Sequence, residues 1–494
     1  MIVCSTPASL LLASWVVALL GIGAGAPPWA SVLAACLVFV GLAGLSYSAP
    51  APSGTMWTGA FLFVCLLAGL LRILWPVCVP PAVPSVREIE GVVSLERKWG
   101  YAHVILVDSA SGRFLIRVPP SRTASEGSLV SVTGRAVPLP SPDVRKRDRS
   151  RVVQFREDVF WRARGVVAEF VPSSVEETGM SSWTFSSLRT ELRRRIVSAM
   201  PARMQAYLLA AWVGVKDPEL QEDHARWGTA HLLAVSGFHV GIAVAAFMLF
   251  LRPVARRLPR LFPAVFHEGG ALFTSVAASV VLWAYVGLTG AAASALRAAL
   301  MVQVILAGQA LGRPAKPVNS VCVAACALLL WNPWQFWDLG WRLSVVAALT
   351  LAALADLRGV RGVFVSGPVV WVATYPLVAA SFGTVPVVGL LLNFVAIPAF
   401  SLIFPLISLL AAPGLSGLPG GVVAAFLGER ILTLWEGFAE ATASFIPGTV
   451  SWSILGAGGA AIVFLTLMGR GMALSVRRSL FMGILGAFVV FELF

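Results

Sequence analysis

Charged residues are scarce in this chain, and the scarcity limits what kind of protein it is. Only 12% of the 494 residues are charged while 58% are hydrophobic, and the charged share is about half of that in an ordinary soluble domain. The apolar residues come in blocks of roughly twenty, a length that crosses a bilayer as a helix. A soluble globular protein is therefore excluded, and the composition predicts a membrane protein.

Cysteine and histidine are also few, with six and five copies. The cysteines lie in or beside apolar blocks, and none falls in the one long polar region; they are Cys4, Cys36, Cys65, Cys78, Cys322 and Cys326. A disulfide-stapled exterior domain is not expected, and no cysteine spacing suits a metal. We expect neither a metal nor another cofactor.

The N-terminal part of the chain divides into two kinds of sequence. Residues 1–80 hold three apolar segments, near 9–26, 28–47 and 57–76, and are predicted to form N-terminal transmembrane helices. In residues 84–175 charges occur throughout, and apolar residues alternate with polar ones in runs such as HVILVDSASGRFLIRV. Alternation with a period of two predicts strands. A domain of this size suits an OB-like barrel of about five strands.

Residues 184–203 are predicted to form an amphipathic helix at the membrane interface. In SLRTELRRRIVSAMP, apolar residues recur every four positions on one face and arginines occupy the opposite face. The apolar residues are Leu188, Leu192, Ile196 and Met200, and the arginines are Arg189, Arg193, Arg194 and Arg195. The alternative is an ordinary amphipathic helix on the soluble domain.

Residues 204–494 are predicted to form a second membrane domain, which brings the total to about 13 membrane segments. Arginine-rich turns fall on one side if the short apolar stretch after residue 204 does not cross; they occur at 252–260, 312–316, 356–362 and 469–478. By the positive-inside rule that side is the cytoplasm. The predicted fold class is a polytopic α-helical membrane protein with an inserted, small, extracytoplasmic OB-like β domain.

Several polar side chains lie inside apolar segments, where burial is costly. They are His231 and His239 in HLLAVSGFHVG, Arg297, Asp338 with Arg342, and Asn393. Such groups normally face protein or a water-filled cavity, and they mark a functional pathway. Structural alternatives exist. Asp338 and Arg342, four residues apart, can pair near the interface, and Asn393 can bond carbonyls freed where later prolines break a helix.

The HLLAVSGFHVG segment has two further interpretations. Gly237 and Gly241 have the spacing that lets another helix approach closely, so the histidines can serve a helix contact. Ser236 and His239 share a helix face, which raises a serine nucleophile, but the sequence offers no orienting third group or oxyanion hole. On a straight helix His231 and His239 are too far apart to share one metal ion.

Four ordered motifs resemble the ComEC/Rec2 family of competence proteins. GTAHLLAVSGFHVGI is similar to the family's most recognisable string, and YVGLTGAAASALRAALM, NPWQFWDLGWRLSVVAAL and FGTVPVVGLLLNFVAIP follow in the family's order. The resemblance runs from about residue 60 to 470 and includes the β domain. Where the family commonly has Phe, Gln and Pro, this chain has Trp341, Arg342 and Ala293.

The resemblance implies a channel that carries single-stranded DNA across the bacterial inner (plasma) membrane during natural transformation. It implies single-stranded DNA and membrane lipids as partners, together with a DNA receptor, a separate nuclease and a cytoplasmic DNA motor or single-strand-binding protein. Longer family members carry a C-terminal metallo-β-lactamase-like domain, whereas this chain lacks an HxHxDH string and ends in FMGILGAFVVFELF. We therefore expect a multi-pass transport channel rather than an enzyme. The oligomeric state is not indicated.

The costly polar groups and the resemblance together define the candidate site. The residues assigned to the DNA path, or to structuring the channel, are His231, Ser236, Gly237, His239, Gly241, Ser294, Arg297, Asp338, Trp341, Arg342, Ser344, Asn393 and Pro398. Trp341 and Phe238 would offer aromatic faces for bases. The basic run at 143–151 would hold DNA at the entrance, or is a solvated loop. Two other functions stay open: a permease for a small or lipid-linked anion, and an intramembrane hydrolase.

Overall fold

A computed structural model describes most of the chain. The described residues are 7–46, 55–79, 82–99, 102–119, 124–140, 153, 155–180, 185–233, 237–261, 270–312, 316–357 and 359–468. Ser236, the basic run at 143–151 and the arginine-rich turn at 469–478 lie outside them.

Three apolar helices open the fold, close to the predicted segments: α1 Pro7–Gly23, α2 Pro28–Ser46 and α3 Thr55–Cys78. They bury one shared core, in which Trp15 and Leu66 pack together and the Trp15 indole Nε1 donates to the Leu66 carbonyl oxygen at 3.3 Å. The same core includes Cys322 and Trp341 from the second membrane part. The two helical parts therefore pack as one body, although the β domain separates them in sequence.

The polar region between them folds as a closed five-stranded barrel, as the alternating pattern predicts. Its strands are β1 Glu88–Trp99, β2 Ala102–Ser109, β3 Gly112–Val118, β4 Ser128–Val137 and β5 Val166–Met180, with the short helix α4 Glu157–Arg162 before β5. They are ordered β1-β2-β3-β5-β4; β3 and β5 pair in parallel, and the other pairs are antiparallel. Ile105 and Val107 fill the main barrel core, while Val104 and Leu106 on the opposite face pack under Trp161 of α4.

A helical connection leads from the barrel back to the membrane domain. It contains α5 Phe185–Ala199, α6 Ala202–Leu208, a π-helical turn at Leu209–Val213, α7 Pro218–Arg226 and α8 Ala230–Leu233. In α5 the predicted faces are partly wrong, because Arg189 is 3% exposed and Leu188 is 49% exposed. Arg189 is drawn inward by the barrel carboxylate of Glu126, with which it forms a buried ion pair. Interfacial placement of α5 stays a prediction.

The second membrane part is a bundle of helices. These are α9 Gly237–Leu261, α10 Gly270–Leu288, α11 Ala293–Ala310, α12 Pro317–Trp331, α13 Leu339–Ala353, α14 Gly359–Phe382, α15 Val388–Leu415, α16 Gly421–Phe445 and α17 Ile454–Met468. A 3-10 turn at Pro333–Trp337 connects α12 to α13, and the short strands β6 Thr384–Pro386 and β7 Thr449–Ser451 pair antiparallel.

Four helices within the described residues are long and apolar enough to cross a membrane: Ala60–Cys78, Ala293–Ala310, Phe364–Phe382 and Val388–Leu415. Shorter apolar helices, such as Pro317–Trp331, accompany them. The chain is thus a largely helical membrane protein with a five-stranded barrel, whereas the predicted total of about 13 crossings stays a prediction.

Candidate functional site

One of the contacts between the barrel and the membrane domain is made by a turn of the barrel. The turn that follows α4 presents its carbonyl oxygens to the α12–α13 connection: Asn332 Nδ2 donates to Arg162 O at 2.7 Å, and Gln335 Nε2 donates to Ala163 O at 2.6 Å. The Arg162 guanidinium also lies 5.0 Å from the centre of the Trp334 ring. These contacts bring the next barrel residue, Arg164, to the start of α13.

Asp338 occupies the start of α13, and charges from two domains meet there. Its side chain caps the helix, because Oδ2 accepts a hydrogen bond from the backbone nitrogen of Trp341 at 3.2 Å. Arg164 Nη1 from the barrel lies 3.4 Å from Oδ1, and Arg297 Nη1 from α11 lies 3.9 Å from Oδ2. Arg297 and Asp338 come from different sequence motifs, and the fold brings them together.

Arg297 is 4% exposed, yet its hydrogen-bonding capacity is not filled. Its Nε and Nη1 have no hydrogen-bond partner among the residues that the structure describes. The guanidinium lies against Gly340, where an added Cβ would stand 3.2 Å from Arg297 Nη2 and 2.9 Å from Asp338 Oδ2. Glycine at this position therefore lets a buried arginine approach the first turn of α13.

Two further basic residues, Lys216 and Arg97, interact electrostatically with Arg164. Both side chains are exposed, although protein atoms surround them closely. This crowding lowers the pKa of Lys216, and the charges of Arg97 and Arg164 lower it further. Burial also lowers the pKa of Arg164, while the Asp338 carboxylate opposes that effect.

We call Arg97, Arg164, Lys216, Arg297 and Arg342 the basic cluster. Each interacts electrostatically with another member or with Asp338. Arg164 and Arg297 both lie beside the single carboxylate of Asp338. Two positive charges against one negative charge favour a further anion at this place.

Arg342 and Trp341 have different surroundings from those the sequence suggested. Asp338 pairs with Arg164 and Arg297, whereas Arg342 Nε donates to Phe336 O at 2.8 Å and its guanidinium lies over the Phe336 ring. Trp341 is 3% exposed and packs against Phe336. A buried ring has no free face, so Trp341 is not available to stack on a base.

The two motif histidines lie in different environments. His231 in α8 is exposed, although protein atoms surround it densely. His239 in α9 is buried, and its ring contacts Phe404 edge to face at 4.4 Å between centres. His231 therefore suits a lining role, and His239 suits the contact that holds α9 against α15.

Close helix packing occurs at Gly228, just before the motif, rather than at Gly241. A Cβ added at Gly241 would meet no atom within 4 Å, so the small-residue spacing of Gly237 and Gly241 does not mark a tight contact at Gly241. The tight contact joins Gly228 and Gly389, where an added Cβ would approach the opposite backbone to 2.6 Å. Asn393 Nδ2 bridges the same two residues by donating to Gly389 O at 2.6 Å and Gly228 O at 3.4 Å.

The other predicted site residues are less informative. Ser294 and Ser344 are partly buried on α11 and α13, and Pro398 lies exposed on α15. Gly237 begins α9. Ser236 is outside the described residues, so the serine-histidine pair is not described.

Sequence reasoning missed Arg97, Arg164 and Lys216 from the site, and it also passed over His224. His224 is fully buried: Tyr207 Oη lies 2.8 Å from its Nε2, and Thr229 Oγ1 lies 2.9 Å from its Nδ1. Burial lowers the pKa of His224 to about 4, which keeps it neutral near physiological pH. Both ring nitrogens are satisfied, so His224 is a structural residue of the helical connection.

No group of three or more His, Cys, Asp or Glu is placed to hold a metal ion in the part of the chain that the structure describes.

The fold and site define a helical membrane protein whose interior presents basic side chains around one carboxylate. Residues 213–478 match the sequence model of the family described as "Competence protein". This match covers more than half of the chain, so the chain belongs to that family, the ComEC/Rec2 family of competence proteins.

Among curated proteins, the chain is similar to ComE operon protein 3 of Bacillus subtilis (strain 168), with 27% identity over 278 residues. The aligned segment is 53% of this chain and 31% of the relative, so the chain matches less than a third of the relative's length. No solved structure matches the chain.

Proposed function

We propose that this protein carries single-stranded DNA across the bacterial inner membrane during natural transformation. The observation that carries the proposal is the basic cluster, which joins barrel residues such as Arg164 to membrane residues such as Arg297 around Asp338. Family membership supports the same role.

The chemistry of the strand explains why this arrangement suits it. Single-stranded DNA carries one negative charge per nucleotide, so its path needs cationic groups in a water-accessible groove. Lys216 and His231 are exposed within crowded surroundings and would line such a path. Arg164 and Arg297 would contact phosphates, while His239, Gly228 and Asn393 would hold the helices around it.

The proposal includes a detailed architecture. We infer an OB-like barrel because five strands close in the order β1-β2-β3-β5-β4 with a parallel β3–β5 pair. We place it outside the cytoplasm and infer about 13 membrane segments. The docking of Arg162 and Ala163 on the tryptophan-rich connection supports a position at a membrane interface, where tryptophans concentrate. The arginine-rich turns, assigned to the cytoplasm, favour the outer interface.

We further propose that the chain transports DNA without cleaving it. The sequence lacks an HxHxDH string, which a two-metal nuclease of the metallo-β-lactamase type would use. A separate nuclease, a DNA receptor and a cytoplasmic motor or single-strand-binding protein would then act with it.

A second function, a permease for a small or lipid-linked anion, is favoured by one observation. Arg297 is deeply buried and has open donors, which suits a single compact anion as well as a passing phosphodiester. The intramembrane hydrolase is not proposed, because the sequence offers no third group to orient His239 and no oxyanion hole for a serine nucleophile.

DNA uptake by whole cells separates these functions. A strain that lacks the gene would be complemented with the parent chain or with Lys216→Glu, and labelled DNA inside the cells would be measured. Charge reversal at Lys216 should lower uptake by roughly tenfold, because a phosphate contact becomes repulsive.

The matched control is Lys316→Glu, the same change at an exposed lysine that precedes α12. It should take up DNA like the parent. Uptake that does not depend on the complementing chain, despite membrane insertion, would reject the DNA channel and favour the anion permease.

A further inference from the structure

The Asp338 carboxylate is held loosely by the groups around it. Charge-assisted hydrogen bonds between a basic nitrogen and a carboxylate oxygen usually measure about 2.7–2.9 Å. The distances from Asp338 to Arg164 Nη1 and Arg297 Nη1 are 3.4 and 3.9 Å. The cations are therefore spaced more widely than a carboxylate requires.

The same place has donors to spare. Arg297, with a side chain 5% exposed, has no hydrogen-bond partner at Nε or Nη1 among the described residues. It lies against Gly340 in the first turn of α13, whose N-terminal N–H groups also favour an anion. Burying N–H donors without acceptors costs free energy. Their presence at Arg297 therefore indicates a ligand with more acceptor atoms than Asp338 provides.

We propose that Asp338 is a resident counter-anion in a phosphodiester subsite. In the absence of DNA its carboxylate neutralises Arg164 and Arg297; when a strand arrives, a phosphodiester group takes those donors and the carboxylate gives way. The subsite is shared between the barrel and the membrane domain. This inference rests on the proposed DNA-channel function and deepens it.

A simpler role for Asp338 is helix capping, which makes one substitution decisive. Asparagine caps a helix N-terminus about as well as aspartate. Asp338→Asn therefore keeps the hydrogen bond to the Trp341 backbone nitrogen and removes only the charge. A residue that merely caps α13 should tolerate this change without effect on DNA binding.

The test measures binding of a fluorescent single-stranded oligothymidylate to the full chain, purified in a neutral detergent, over a series of salt concentrations. Asp338→Asn should bind about tenfold more tightly at low salt, because a competing negative charge is gone. The slope of log K against log salt should stay near that of the parent, because the phosphodiester occupies the same subsite in both proteins.

Two variants serve as controls. Asp356→Asn removes an exposed carboxylate beyond the opposite end of α13, about 27 Å away along a helical rise, and should bind like the parent. Asp338→Glu keeps the charge and should show no gain. Titration with excess oligothymidylate gives the concentration of binding-competent protein, which corrects the affinity if Asp338→Asn lowers the yield of folded protein.

The outcomes are distinct. A parent chain that does not bind at low salt would overturn the proposed function itself. If the parent binds the oligothymidylate and its affinity falls with salt, but Asp338→Asn binds with equal or lower affinity, only the counter-anion role of Asp338 is overturned. If phosphatidylglycerol added to the micelles abolishes the gain of Asp338→Asn, the subsite takes a lipid headgroup and the DNA assignment is overturned.

Discussion

Two arginines are buried to nearly the same extent in this protein but are satisfied differently. Arg189 in α5 and Arg297 in α11 are 3% and 4% exposed. Arg189 Nη1 lies 3.3 Å from a carboxylate oxygen of Glu126, and its Nη2 donates to Val213 O at 2.9 Å, which leaves only Nε unpartnered among the described residues. Arg297 has a longer contact, 3.9 Å from Nη1 to Asp338, and its Nε and Nη1 have no hydrogen-bond partner among the described residues.

The difference teaches that burial alone does not identify a functional arginine. Arg189 ties the barrel to the π-helical turn and also packs on Gly290 in the turn between α10 and α11, so its bonds hold three elements together. Arg297 contacts Asp338 within the membrane domain, and two of its nitrogens lack hydrogen-bond partners among the described residues. Donors without hydrogen-bond partners, rather than charge in an apolar segment, distinguish the candidate functional site at Arg297 from the structural contact at Arg189.

The largest expected contrast comes from removing each arginine in turn. Arg189→Ala leaves Glu126 buried without its partner, which should cost roughly 3–5 kcal/mol of stability, seen as a lower melting temperature and less folded protein in the membrane. Arg297→Ala should leave the amount of inserted protein near that of the parent but reduce DNA uptake to background. Thermal melting in detergent and uptake per inserted molecule measure the two effects.

A double replacement sharpens this comparison. Glu126→Leu with Arg189→Met removes the ion pair without an orphan charge, and buried pairs are often replaced by apolar residues at little cost. This variant should recover most of the stability and the uptake. If Arg297→Ala lost folded protein as severely as Arg189→Ala, the functional assignment of Arg297 would fail.

The two arginines also lie against different glycines, which gives a second, smaller contrast. Gly290 has a φ of +69°, and an added Cβ would stand 2.6 Å from Arg189 Cζ. Gly290→Ala should therefore lower stability by about 1–3 kcal/mol through backbone strain and the displaced guanidinium. Gly340→Ala meets only the movable ends of Asp338 and Arg297, so uptake should fall severalfold while the melting temperature changes little.

The contrast is checked by melting and uptake of both variants. Gly312→Ala is a suitable control for strain, because Gly312 has a φ of +64° but an added Cβ would meet nothing within 4 Å. It should show only the backbone component of the Gly290 effect. If all three glycine variants melted at the same temperature as the parent, the tight packing at Gly290 would be contradicted.

Much of the architecture is readable from the sequence because it depends on local periodicity. Apolar blocks placed α12 at 317–331, the range that the structure gives to Pro317–Trp331. Alternation in residues 103–118 predicted strands, and β2 and β3 occupy that stretch. These signals arise from which face of an element is buried, and that pattern is written along a single segment.

The site was only partly readable, because its assembly depends on contacts between distant segments. Motifs pointed to Arg297 and Asp338 but did not show that they meet, and nothing near Arg164 indicated that the barrel contributes a cation. Helical periodicity put Arg189 on the polar face, since the pattern contains no information about Glu126 on another element. Such residues are found only when tertiary contacts are known.

The smallest predicted effect is the pH dependence of the stability at the Glu126–Arg189 ion pair. Burial raises the pKa of Glu126, while Arg189, the Glu96 backbone N–H and Arg193 act in the opposite direction. A carboxyl with a raised folded-state pKa contributes stability that is present below its ordinary value of 4.5 and is lost as pH rises through the folded-state value. Stability of the parent should therefore decline as the pH rises from about 4.5 to neutral pH. Glu126→Gln should flatten this dependence of melting temperature on pH.

Glu191→Gln is the control. Hydrogen bonds from Arg194 and Arg195 hold the pKa of Glu191 at about 2, so this variant should keep the pH dependence of the parent. If Glu126→Gln kept the pH dependence of the parent's melting temperature, protonation of Glu126 would not affect stability and the prediction would be wrong.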